Sequence, residues 1–206
     1  MSFRLPLLNC YYGLYEHVFA DEIKDEVVFA TIGAQTVTKE LMMLPKKIET
    51  AMNKQINHEM YSAYLYLSMS VYFHGLNLEG FAHWMRVQAK EEMAHAMKLY
   101  HHILERDGAV KLDAIKAPEA VWKSPLDVCQ AVLKHEQLIT KLIHALTDLS
   151  YAEKDHASTT LLQWFVNEQV EEEASATLLV ERVKMVKEST GGLYMLDREL
   201  GKREAK

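Results

Sequence analysis

Glu92 and His95 stand three residues apart, and Glu59, Glu136, Gln169 and Glu172 complete a set whose spacing repeats. Glu59 precedes Glu136 by 77 positions, Glu92 precedes Gln169 by 77, and His95 precedes Glu172 by 77. Residues three apart on a helix share a face, so both Glu92-x-x-His95 and Gln169-x-x-Glu172 present two polar groups to one side. Carboxylate oxygens with a neutral imidazole nitrogen form a donor set for hard divalent cations. Four glutamates carry four negative charges, which two divalent ions balance. Burying the four without such compensation would cost many kcal/mol or force protonation.

Each member of the set interrupts an apolar stripe written at helical steps of three and four. The first helix, expected from Pro45 to His74, reads Ile48, Met52, Ile56, Glu59, Ala63, Leu67, Val71. The second, from Leu78 to Arg106 with Gly108 as its expected C-terminal cap, reads Phe81, Met85, Gln88, Glu92, His95, Leu99, then His102 or Ile103. The third, opened by Ser124-Pro125 as cap and first position and running to about Tyr151, reads Cys129, Val132, Glu136, Ile139, Ile143, Leu146. The fourth, from Asp155 to Glu188, reads Leu162, Phe165, Gln169, Glu172, Ala176, Leu179, Val183, Val186 and ends at Gly191-Gly192. A short fifth helix is expected from Leu193 to Leu200. The interruptions all fall near mid-helix, where the helices of an antiparallel bundle meet at one level. Short connections after Gly75 and Tyr151 make two hairpins. The long one from Gly108 to Lys123 can cross the bundle, so an all-α four-helix bundle with one long crossover is expected.

The whole-chain totals agree. The 206 residues suit a self-sufficient core, and 8 Gly and 4 Pro leave little punctuation for a many-turned β fold. A net charge of -6 disfavours a nucleic-acid partner and suits cations. Cys10 and Cys129 fit neither a disulfide framework nor a CxxC site, and reduced thiols in a cytosol are the simplest reading. No run of about 18 apolar residues marks a membrane span. The stretch from Met1 to Tyr15 makes a poor signal peptide.

Further stretches carry a resemblance. Asn57-His58-Glu59-Met60-Tyr61-Ser62, Glu91-Glu92-Met93-Ala94-His95 and Lys134-His135-Glu136-Gln137-Leu138-Ile139-Thr140 are three of them. The run from Leu162 to Glu173 and Gly192-Leu193-Tyr194 with Asp197 and Glu199 complete them. Over about Met43 to Lys202 the chain resembles bacterial non-haem ferritins. That resemblance implies a ferritin-like four-helix bundle over 45–188, with a short C-terminal helix and tail over 189–206. It implies a ferroxidase centre in which Glu59, Glu92 and His95 bind one iron. Glu92 as a bridge, Glu136 and Glu172 bind the second, and Gln169 lies beside it. A third, weaker site would use Glu91, Glu168 and Glu171, linked through Glu172. Tyr66, two turns from Glu59, would assist near the centre, whereas Trp164 is expected to pack in the core.

The implied function is iron storage in the cytoplasm. Fe(II) is oxidised by O2 or H2O2 and deposited as mineral inside a hollow homo-oligomeric shell of 24 subunits. Bacterioferritins keep His in the second half of the repeat, where this chain has Glu172. Met93 stands where they carry a haem-ligating Met and where non-haem ferritins also have one, so no haem is expected. Two alternatives come from other classes. One is a di-iron oxidase or peroxidase that keeps two irons, which bulky Met60, Tyr64, Tyr66 and Trp164 disfavour. The other is a non-catalytic metal-binding bundle. Residues 1–44 form an N-terminal extension without periodicity, in which Asp25 to Thr38 reads as a strand or a frayed helix. The first 42 residues have no counterpart in the family pattern. Met42 and Met43 precede the resemblance, so an upstream-set translation start is expected, with a real added segment as the alternative.

Overall fold

Capping and turn chemistry fix where the helices begin and end. The computed structural model of the chain describes residues 43–204, so the expectations for residues 1–42 fall outside the described residues. Five helices follow one another: α1 Lys46–Gly75, α2 Glu79–Glu105, α3 Pro125–Ala152, α4 His156–Val186 and α5 Thr190–Leu200. Ser124 Oγ accepts the Asp127 amide at 3.1 Å and Pro125 opens α3, as the sequence predicts. The turns after α1, α2 and α3 each place a non-glycine residue at positive φ: Asn77 at 58°, Asp107 at 53° and Lys154 at 56°.

Gly108 therefore does not occupy the left-handed position expected of a helix cap; Asp107 does. Gly108 instead donates its amide to Ile103 O at 2.9 Å, closing the helix end. A Cβ there would come within 2.8 Å of Ile103 Cγ2. Gly191 and Gly192 likewise do not terminate the fourth helix. That helix stops at Val186, and both glycines lie in the first turn of α5, whose Ser189 cap accepts the Gly192 amide at 3.0 Å.

α1 packs along α2 and α3 along α4; α1 also meets α3, and α5 rests on α2 and α4. The connection after α2 runs beside α1 from one end toward the other. Asn53 Nδ2 donates to Ala109 O at 2.9 Å, the Lys111 amide donates to Asn53 Oδ1 at 2.7 Å, and Ser68 Oγ donates to Glu119 O at 2.6 Å. The chain thus returns to the end where α2 began, so α3 runs parallel to α2. This is the single crossover read from loop lengths.

The α1 stripe departs from expectation in its second half. Leu67 and Val71 are exposed, 47% and 72%, and Tyr66, Met69, Ser70 and Phe73 fill the core instead. A four-residue step overshoots one turn by about 40°, so repeated fours rotate off the buried face. Among the described residues the apolar core forms two clusters. One gathers Tyr66, Phe73, Phe81, Met85 and Val132; the other gathers Ile48, Ile56, Leu99, Ile139 and Phe165.

Candidate metal centre

Between the two apolar clusters lies a polar waist. Glu59 of α1, Glu92 and His95 of α2, Glu136 of α3, and Gln169 and Glu172 of α4 are each no more than 5% exposed. All six residues that interrupt the stripes are therefore buried, as expected.

Glu59, Glu92 and His95 form the compact part. One donor atom from each lies within 4.8 Å of the other two. Gln55, one turn before Glu59, donates its amide to Glu59 Oε1 at 2.8 Å. Glu59 Oε2 is buried and accepts no hydrogen bond, which is costly unless a cation, or a proton shared with Glu92, meets it. His95 Nδ1 stands 3.5 Å from Glu92 Oε2. The imidazole is braced edge-on by Trp164 and Phe165, with centroids at 5.4 and 5.9 Å.

Glu136 and Glu172 are held differently. Tyr66, fully buried, donates a hydrogen bond to Glu136 Oε1. Gln169 Nε2 lies 3.3 Å from Glu136 Oε2 and 3.3 Å from Thr140 Oγ1. Gln88 Nε2 donates to Glu172 Oε2 at 3.0 Å.

Burial and mutual repulsion keep these acids from ionising together. Loss of hydration, then the charge of Glu92, pushes Glu59 up to about 8. Burial first and Glu136 second raise Glu92 well above the carboxylate range. Glu136 rises to about 7 through burial, with the Tyr66 hydrogen bond opposing, and burial also raises Glu172. Burial chiefly raises the Tyr66 phenol, so it remains a donor. A divalent pair would reverse this balance, taking the place of protons. The unmet Glu59 oxygen, the four acids and the His95 imidazole nitrogen fit hard cations.

The three outlying acids are not gathered as tightly. Glu91 is buried and half-buried Glu168 shares with it and His95 a cavity of about 300 Å³, while Glu171 is exposed. Tyr64 is half exposed and does not crowd the centre as expected. Trp164 packs against the apolar core as expected and also touches the His95 ring. Sequence alone assigns no role to Gln55 and Gln88. Each stands four residues before a donor, on the same face, and that spacing is the available signal. Arg203, whose guanidinium lies 2.6 Å from Glu91 Oε2, has no such signal, being 112 residues away.

The fold and the donor set together define a carboxylate-rich metal site in the waist of a one-crossover four-helix bundle. Residues 49–186 match the family described as the ferritin-like domain. The bacterial non-heme ferritin of Bacteroides fragilis (strain 638R) is 44% identical over 161 residues, covering 78% of this chain and 100% of that protein. The bacterial non-heme ferritin of Campylobacter jejuni is 42% identical over 155 residues, covering 75% and 93%. The open-pore ferritin of the hyperthermophilic archaeon Archaeoglobus fulgidus superimposes with a TM-score of 0.77 at 48% identity, covering 78% of this chain and 98% of its own. The chain belongs to the ferritin-like family, among the bacterial non-haem ferritins.

Proposed function

We propose that this chain is a ferritin subunit that oxidises Fe(II) at its waist and stores the product as Fe(III) mineral. The supporting observation is the buried Glu59–Glu92–His95 cluster with its unmet carboxylate oxygen. Membership of the family supports iron storage. Glu59, Glu92 and His95 would take one Fe(II), and Glu92, Glu136 and Glu172 the second. Two Fe(II) ions yield two electrons, enough to take O2 to hydrogen peroxide or hydrogen peroxide to water. The chain supplies the setting: Gln55 fixes Glu59, Gln88 fixes Glu172, and the apolar clusters on either side exclude bulk water. Glu59 and Glu136 surrender protons as the cations bind. Tyr66 keeps its phenolic proton on Glu136, and Gln169 steadies the same carboxylate. Glu91, Glu168 and Glu171 form a weaker third subsite on the way out.

Assembly as a homo-oligomeric, 24-subunit shell in the cytoplasm completes the proposal. Among the described residues no helix is long and apolar enough to cross a membrane. The test is aerobic addition of excess Fe(II) to the metal-free protein, then size exclusion with iron detection. Many more than two irons per chain, co-eluting with a large assembly, are expected. Two irons per chain on a small species would overturn storage and favour an oxidase that keeps its metal.

A further inference from the structure

The segment after α5 returns to α2 and brings a cation to the edge of the metal centre. Asp197 Oδ1 accepts the Phe81 amide at 3.0 Å. Gly80 lets α5 approach so closely that a Cβ there would sit 1.6 Å from Asp197 O. His83 Nε2 donates to Arg203 O at 2.8 Å, fixing the backbone at that residue. From this anchor the Arg203 side chain, 20% exposed, crosses the Trp84 ring at 4.5 Å and sets Nη2 2.6 Å from Glu91 Oε2. Its other terminal nitrogen, Nη1, is buried without a hydrogen-bond partner.

Glu91 is no ordinary surface acid. It adjoins Glu92 in sequence and lines one cavity with His95 and Glu168. Its charge is among those felt by Glu92 and Glu172, and the Arg203 charge is felt by Glu172. The guanidinium 2.6 Å from Glu91 Oε2 sets a positive charge against that oxygen and opposes a metal ion there. Arginine does not lose its charge at any physiological pH, so the oxygen is released by displacing Arg203, either its side chain or the 201–204 segment that carries it.

We propose that Arg203 is a resident counter-cation at Glu91, and that the segment carrying it is a latch governing whether a third divalent ion binds there. This rests on the reading of Glu91, Glu168 and Glu171 as a third subsite. With the latch closed, the centre is limited to two ions; with the latch displaced, Glu91 becomes a ligand and iron gains a step outward.

The test is anaerobic calorimetric titration of the full-length, metal-free protein with Zn²⁺, a redox-inert probe. It compares wild type, Arg203→Ala, Arg203→Lys and the Arg203→Ala/Glu91→Gln pair. Loss of one charged hydrogen bond predicts a third ion bound about tenfold or more tightly in Arg203→Ala. Arg203→Lys should fall between Arg203→Ala and wild type, and the double variant should lose the gain. Assembly size, followed alongside, should not change. If Arg203→Ala assembles poorly, a chain ending at Lys202 replaces it. A third-ion affinity unchanged by either alteration would overturn the proposal, as would a gain that survives Glu91→Gln. Failure of the wild type to bind its first two ions would instead sink the two-metal reading, leaving the comparison of variants to judge the latch.

Discussion

The two helix hairpins place matching positions into one waist but prepare them differently. In α1 and α2, Glu59, Glu92 and His95 draw together to within 4.8 Å, and one Glu59 oxygen is left unmet. In α3 and α4, the positions 77 residues later hold Glu136, Gln169 and Glu172. There the carboxylates already have partners: Tyr66 and Gln169 on Glu136, Gln88 on Glu172. Gln169 presents an NH2 group to Glu136, a donor that cannot bind a cation, where the first half has an acid. The first half keeps one buried carboxylate oxygen with no donor on it, Gln55 meeting only the other, while both acids of the second half rest on side-chain hydrogen bonds. We infer that the first ion binds tightly and the second more weakly, as a transfer site requires.

The most drastic way to break this comparison is to remove the compact half. Glu92→Ala or His95→Ala should slow Fe(II) oxidation by more than the roughly 10–100-fold that loss of a supporting partner costs. Stopped-flow absorbance would measure the rate and circular dichroism the retained helix. Wild-type rates in both variants would refute the site.

A subtler change makes the halves alike. Glu172→His restores a nitrogen donor to the second half, and the second ion should leave roughly tenfold more slowly. Chelator competition would read this, and an unchanged release rate would mean that the missing nitrogen does not set the asymmetry. Smaller still is Gln88→Leu, which frees Glu172 and should alter second-ion affinity by up to about tenfold. First-ion affinity should stay put; equal shifts at both would mean the halves do not act separately.

The gentlest probe is pH without metal. Glu59, raised from 4.5 to about 8, and Glu136, raised to about 7, favour the neutral form in the fold. Their contribution to stability is full below 4.5. It is lost as pH rises toward 8, because the unfolded chain ionises first. The metal-free melting temperature should fall over that window, less so in Glu59→Gln. Zn²⁺ should raise it most at the upper end. A slope identical in Glu59→Gln would show that Glu59 does not set it.

The bundle is legible in the sequence because four long amphipathic stretches and one long connection leave few topologies. The six waist residues are legible because polar groups that interrupt apolar stripes at one level must meet in the core, where each needs a partner. The periodic pattern fails for Leu67 and Val71, since steps of four drift around the helix. It also takes Gly191-Gly192 as the stop of the fourth helix, whereas both glycines open α5 behind the Ser189 cap, and it picks Gly108 rather than Asp107 as the left-handed residue after α2. Tyr66 follows from resemblance and helical register, but its bond to Glu136 joins α1 to α3 across 70 residues. Arg203 lies beyond reach altogether, because its contact with Glu91 depends on how α5 folds back over Gly80.

The asymmetry of the waist is most directly tested by crystals of the metal-free protein soaked anaerobically in limiting Fe(II), with anomalous scattering recorded at the iron edge. The predicted result is iron first among Glu59, Glu92 and His95, with the position beside Glu136 and Glu172 filling only at higher concentration. Equal occupancy at limiting iron, or iron first beside Glu136 and Glu172, would contradict it.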